Sequence, residues 1–254
     1  MKFRFDHLYT MDKNFVFRKK LKKAGFHLND YFVEHPGKAF CRFVYIPTPA
    51  KAGRIKYLEF IHIGKGGEHR GIAGISFSSL TSLDQVAEDK KMKKLGLEFT
   101  HKNYAWKENS QERLPGWNFI RFPKHKSKIY TWLTEYEMFG IKKLKKRPEI
   151  VHANKVSRLV SIECDFSPKD EALYESLLGR PQNSQFHFEC GTPLNFKRAS
   201  KSQVKSVIFA TSDLKSMIKK IEWDELTVYD ALGWFATYPV VFGNNSLDDK
   251  KMEG

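Results

Sequence analysis

At 254 residues, with 41% hydrophobic and 14% aromatic side chains, the chain has the composition of a globular protein able to bury a sizeable core, which excludes a disordered one. No apolar run approaches the roughly 20 residues a membrane helix needs, and the opening Met1-Lys2-Phe3-Arg4-Phe5-Asp6-His7 places charges where a signal peptide carries its apolar stretch, so no membrane partner is expected. The net charge of +15 admits a polyanion such as nucleic acid, but no nucleic-acid motif accompanies it, and lysine-rich helices that merely solubilise the chain explain it as well.

In chain order, an apolar strand is expected over residues 3–9, followed by a helix whose stripe is Phe15, Val16, Leu21 and Ala24. That helix ends in Lys19-Lys20-Leu21-Lys22-Lys23-Ala24-Gly25-Phe26, with lysines favourable to the helix dipole and then a glycine suited to a left-handed C-cap. Strands are expected at 27–33, 39–46 and 55–63. The order then repeats: a strand at 72–80, a helix striped by Val86, Met92 and Leu95, and strands at 98–106, 117–122 and 129–136. The second helix ends in Lys90-Lys91-Met92-Lys93-Lys94-Leu95-Gly96-Leu97, a near copy of residues 19–26 at a spacing of about 71 residues. Pro36-Gly37, Pro47-Thr48-Pro49 and Pro115-Gly116 punctuate the strands as turns. Each unit therefore reads β-α-β-β-β, which predicts an α+β protein built from a duplicated module.

The charged run from Lys142 to Pro148 reads as a linker. Beyond it come a strand at 159–166, a helix at 168–178 with Pro168 in its first turn, strands at 186–189, 194–198 and 204–210, and a helix at 213–221 capped by Ser212. Apolar strands then run to Phe242. The expected division is two modules over 1–148, a more diverged pair over 149–243, and a flexible tail over 244–254. Cys41, Cys164 and Cys190 are few and odd in number, which suits reduced thiols in a cytoplasmic protein.

Two residues stand out as a candidate site. Glu59 lies in the middle of the apolar strand Lys56-Tyr57-Leu58-Glu59-Phe60-Ile61-His62-Ile63, where a buried carboxylate needs a partner because an unpaired buried charge costs several kcal/mol. His7 lies on a strand that the pattern wants half buried. They occupy the last and first strands of one module, which a curved sheet could place side by side. An exposed strand face for Glu59 and a structural hydrogen bond for His7 remain the plain alternatives.

Phe5-Asp6-His7-Leu8, Ala24-Gly25-Phe26, His35-Pro36-Gly37 and Tyr57-Leu58-Glu59, taken in that order, resemble the glyoxalase-like branch of the vicinal oxygen chelate superfamily. The resemblance is best over residues 3–81 and weaker to about 160, where Pro115-Gly116-Trp117 and His152-Ala153-Asn154 continue it. It implies βαβββ modules forming cupped mixed sheets with helices on the outside, around a site for a small oxygen-rich metabolite. It also implies a divalent metal (Zn, Mn, Fe or Ni) held by His, Glu or Gln from the first and last strands of each module. On that pattern His7 and Glu59 are the first module's ligands, with His152 able to supply a third, or else a metal-free acid–base pair. His35, Arg42 and Trp117 are the candidate substrate-binding residues. The second module departs from the pattern: its first strand, Ile75-Ser76-Phe77-Ser78, offers no histidine, and its carboxylate position falls closest to Thr131. If the chain is an enzyme, the resemblance implies an isomerase, lyase or oxidoreductase. The alternative is a non-catalytic ligand-sequestering or polyanion-binding module on the same fold, and a homodimer is a further assembly to test.

Overall fold

In the computed structural model, the residues described are 2–12, 21–22, 25–29, 32–35, 38–47, 56–65, 73–100, 106–108, 111–113, 117–136, 151–189, 192–211 and 240–244. The first module contributes β1 (Phe3–Met11), β2 (Val33–His35), β3 (Ala39–Ile46) and β4 (Lys56–Ile63). The second contributes β5 (Ala73–Ser79), α1 (Leu83–Glu88), α2 (Lys90–Lys94), β6 (Glu98–Thr100), a short hairpin of β7 (Trp106–Glu108) and β8 (Gln111–Arg113), β9 (Trp117–Arg121) and β10 (Ile129–Tyr136). Their sheet has the order β6-β9-β10-β5-β1-β4-β3-β2-β7-β8. Within each module the first and last strands are parallel neighbours, β1 with β4 and β5 with β10, and the modules join through the antiparallel pair β1–β5. The duplication read from the sequence is thus a structural one, with the β7–β8 hairpin inserted in the second copy.

A second sheet, ordered β12-β13-β11-β14-β15, comprises β11 (Val156–Phe166), β12 (Gln185–His187), β13 (Pro193–Arg198), β14 (Gln203–Thr211) and β15 (Val240–Asn244), with α3 (Pro168–Leu178) crossing between β11 and β12. The same relations recur: β11 runs parallel to β13 and antiparallel to β14, and β14 runs parallel to β15. Asn244 closes β15, so it belongs to a strand where a tail was expected. Of the helix expected ahead of Gly25, only residues 21–22 are described, and they are helical. The expected linker at 142–148, the helix at 213–221 and residues 245–254 lie outside the described residues.

Local chemistry accounts for the helices. Ser82 caps α1 by accepting from the Gln85 amide, and Ser167 caps α3 by accepting from that of Asp170, with Pro168 in the first turn. The single helix expected through Val86 and Met92 is instead two short ones. Asp89 takes an extended conformation between them, ending α1 and capping α2 with bonds to the Lys91 and Met92 amides. Gly25 and Gly96 both have positive φ, 82° and 68°, which is what the repeated lysine-glycine ending requires.

The core lies between the two sheets. One continuous apolar cluster takes Phe5, Leu8 and Phe77 from the first sheet, Leu83 and Met92 from its helices, and Phe166, Tyr174 and Phe209 from the second unit. Phe188 reaches across, with its ring 5.7 Å from Phe5 and 5.1 Å from Phe77. The helix-covered face of the first sheet is therefore filled. Its opposite face forms a cup with separate aromatic and aliphatic clusters, including Tyr9, Met11 and Trp132 on one side and Val33, Cys41 and Phe43 on the other. No helix among the described residues is long and apolar enough to cross a membrane.

Candidate active site in the cup of the first sheet

The site begins with an irregularity in β1. Phe5 pairs with Phe77 and His7 with Ser76, so Asp6 is an extra residue bulged out of the ladder. A one-residue insertion shifts the period-two alternation: Phe3 and Phe5 face the core, and beyond the bulge so does Leu8, while His7, Tyr9 and Met11 turn to the cup. The bulge also brings the Asp6 carboxylate to His7, with Oδ1 2.6 Å from Nδ1, and both side chains are buried. On the neighbouring strand, alternation sends Leu58 and Phe60 to the core and Glu59 to the cup. Because Tyr9 pairs with Glu59, the His7 ring leans along the strand to put Nε2 3.3 Å from Glu59 Oε2.

Aromatic rings and further polar groups enclose this pair. Tyr57 stacks on His7 at 4.4 Å between centroids, and Trp132 meets its edge at 5.1 Å. The Tyr57 and Tyr136 hydroxyls are 2.7 Å apart, and Tyr136 donates to Asp6 Oδ1 at 2.9 Å. A hydrogen-bonded line thus runs Tyr57, Tyr136, Asp6, His7, Glu59. On the far side of Glu59, His35 Nε2 lies 3.7 Å from Oε1, and its ring meets Trp117 edge-on at 5.0 Å. Cys41, fully buried on β3, brings its thiol beside the same carboxylate.

The electrostatics follow from these contacts. Burial alone would lower the His7 pKa, but the hydrogen bonds and charges of Asp6 and Glu59 outweigh it and raise it from 6.5 to about 9. Burial would raise that of Glu59, but His35 and His7 hold it well below the usual carboxylate range. Burial, together with the Glu59 charge and hydrogen bond, pushes the Cys41 thiol well up, so it stays protonated. At neutral pH the cup floor is a buried imidazolium held between two carboxylates.

Of the expected site residues, the structure gathers His7, Glu59, His35 and Trp117 and leaves out two. Arg42 alternates to the other face of β3 from Cys41 and Phe43, where it donates to the Asn29 carbonyl at 3.0 Å and lies over the Phe32 ring at 5.6 Å. His152 stands in a seam away from the pair. Its Nδ1 accepts from the His27 amide at 2.9 Å and its Nε2 donates to the Tyr45 carbonyl at 2.8 Å, so neither ring nitrogen is left for a metal. Asp6, Tyr57, Tyr136 and Trp132 were not singled out from the sequence. Only the adjacent polar pair Asp6-His7 inside an apolar strand could have signalled the bulge.

No family model matches the chain, and no curated protein matches it. A hypothetical protein from Staphylococcus aureus is similar in structure, with a TM-score of 0.57 and 12% identity over 84% of this chain and 92% of that one. A halotolerant catechol dioxygenase aligns with a TM-score of 0.48 and 9% identity, over 89% of this chain and 75% of its own. A methylmalonyl-CoA epimerase from Streptomyces coelicolor aligns with a TM-score of 0.35 and 16% identity, over 52% of this chain and 95% of its own. At 12% identity, the likeness to the Staphylococcus aureus protein is one of fold alone.

The two-module metal site that the sequence resemblance implies does not fit the residues present. Ser76 stands opposite His7, and Thr134 stands to Ser76 in the register that Glu59 has to His7. Their hydroxyls bond to each other at 2.8 Å, a neutral pair where imidazole and carboxylate would be needed. Thr131, the position expected from sequence, faces the core and meets the Tyr174 hydroxyl at 3.1 Å. The second module therefore carries the shape of the first site without its donors.

Proposed function

We propose that the cup binds a small oxygen-rich metabolite and that His7 is its proton-transfer group. The observation that carries this reading is the clamped imidazole: Asp6 fixes Nδ1, which aims Nε2 along the cup floor toward Glu59. A histidine so oriented donates from Nε2 to a carbonyl or hydroxyl oxygen of a bound ligand, and the Glu59 carboxylate accepts a proton, or a hydrogen bond from a hydroxyl, from that ligand. Tyr57, Trp132 and Trp117 supply apolar walls that exclude water from such a ligand. With Arg42 on the other face, polar recognition rests on His7, His35 and the tyrosine hydroxyls.

The reading is tested by thermal shift with a panel of 2-oxo acids, 2-hydroxy acids and catechols, followed by NMR detection of solvent-deuterium exchange at carbon beside the carbonyl of any ligand found. A ligand of this class should stabilise the wild type, lose at least tenfold in affinity with His7→Gln or Glu59→Gln, and exchange only with intact His7. Equal stabilisation of the wild type and both variants would place the ligand outside the cup and end the proposal.

A further inference from the structure

The disagreement over the metal has a constructive side, because the donors missing from the second module are gathered within the first. We propose that His35, Cys41 and Glu59 form a site for a soft divalent cation, with zinc as the best fit, in which the cation binds Cys41 as a thiolate and its thiol proton leaves to solvent on binding. The three residues come from neighbouring strands. Val33 of β2 pairs with Cys41 of β3, and Phe43 of β3 pairs with Glu59 of β4, so alternate cup-facing positions converge on one spot. One ligand atom from each lies within 4.8 Å of the other two, and His35 Nε2 and Glu59 Oε1 are already 3.7 Å apart. Zinc with sulfur at about 2.3 Å and nitrogen or oxygen at about 2.0–2.2 Å places tetrahedral donors roughly 3.3–3.8 Å apart, so small side-chain movements suffice.

The donor types narrow the cation. Thiolate and imidazole select zinc or another soft transition metal over magnesium and calcium, which take oxygen. Three protein donors leave the fourth position open, as in a site that receives water or a ligand. The outer shell is also in place: Glu59 Oε2 faces His7, and Asp6 holds His7 from behind, an arrangement that orients the carboxylate while its other oxygen turns to the cation. His7 is then a positioning residue toward the metal and not a ligand. The inference rests on the cup being the ligand site proposed above, but it assigns donors that the two-module pattern does not contain.

The test uses the full chain stripped with a chelator and titrated with Co²⁺, then Zn²⁺. Wild type should take up one equivalent of cobalt with a near-ultraviolet thiolate-to-cobalt charge-transfer band and the strong visible absorption of a tetrahedral site, both removed by zinc. Cys41→Ser should lose the charge-transfer band, His35→Gln should bind at least tenfold more weakly, and His7→Gln should keep the band with affinity reduced by about tenfold, the size of an outer-shell effect. Because Cys41 is fully buried and its variant could misfold, the half-buried His35 provides the independent arm. Absence of the band in wild type, or its persistence in Cys41→Ser, overturns the assignment. So does a band kept by His35→Gln and lost by His7→Gln, which would move the metal to His7 and Glu59. A metabolite that still stabilises the metal-free wild type in any of these cases leaves the cup reading standing while the metal site falls.

Discussion

His7 and Glu59 stabilise each other only in the folded state, and each sets one edge of a pH window. The His7 pKa rises from 6.5 to about 9 on folding, so its contribution is full below pH 6.5 and is lost as pH climbs through about 9. That of Glu59 is held down, so its contribution is present above about pH 4.5 and is lost as pH falls toward its depressed value. The pair is therefore strongest between about pH 4.5 and 6.5. The His7 shift corresponds to roughly 3 kcal/mol at about 1.4 kcal/mol per pH unit. Urea unfolding of wild type and His7→Gln should differ most at pH 5–6.5 and converge by about that amount as pH approaches 10. A difference that stays flat from pH 5 to 10 would show that folding does not raise the His7 pKa. His152 behaves in the opposite sense: burial lowers its pKa, only partly offset by its bond to the Tyr45 carbonyl, so it suits a neutral structural role.

At the scale of the element, the bulge in β1 decides which residues reach the cup, and it also marks how far the sequence could be read. Periodicity recovers β3 and β10 at their observed limits and α3 to the residue, because those segments keep one period and carry turn or capping signals at both ends. It places β1 correctly too, but a strict alternation cannot put both Phe5 and Leu8 in the core; the phase slip between them is the bulge, and Asp6 occupies it. Of the strand expected across 98–106, the described residues are those of β6 and the first residue of β7, with 101–105 outside the described residues, and nothing in a local pattern announces the hairpin that β7 opens. The strand beside the bulge shows how tightly the cup is built. A Cβ on Gly74 would collide with the Tyr9 ring, approach the Tyr130 carbonyl oxygen to 2.6 Å and reach the Trp132 ring at 2.8 Å. A ladder carbonyl cannot move aside as a side-chain end can. Gly74→Ala should therefore cost about 1–3 kcal/mol in urea unfolding. A loss below about 0.5 kcal/mol, the spread of ordinary surface substitutions, would mean that β5 is not pressed against those rings.

Across the whole molecule, the two sheets are joined by more than an apolar seam. The Glu189 amide donates to the Phe3 carbonyl at 2.9 Å, and Lys56 on β4 bonds Thr192 beyond β12. His125, after β9, meets Asp170 at 2.6 Å, where the Ser167 and Ser202 hydroxyls complete a buried network at the start of α3. None of these long-range pairings was legible in the sequence, because each joins residues that look like ordinary strand, turn or cap positions until the two units are packed together. They imply that the sheets fold as one cooperative body. Phe188 is the place to test this, since its buried ring lies in the second unit and packs on Phe5 and Phe77 of the first. Phe188→Ala should destabilise the protein by about 3–5 kcal/mol, as deletions of large buried rings do. The calorimetric transition should move to lower temperature as a single peak whose van't Hoff and calorimetric enthalpies agree. Two separated peaks, with one left at the wild-type temperature, would show that the sheets unfold independently and that the cup does not depend on the second unit for its support.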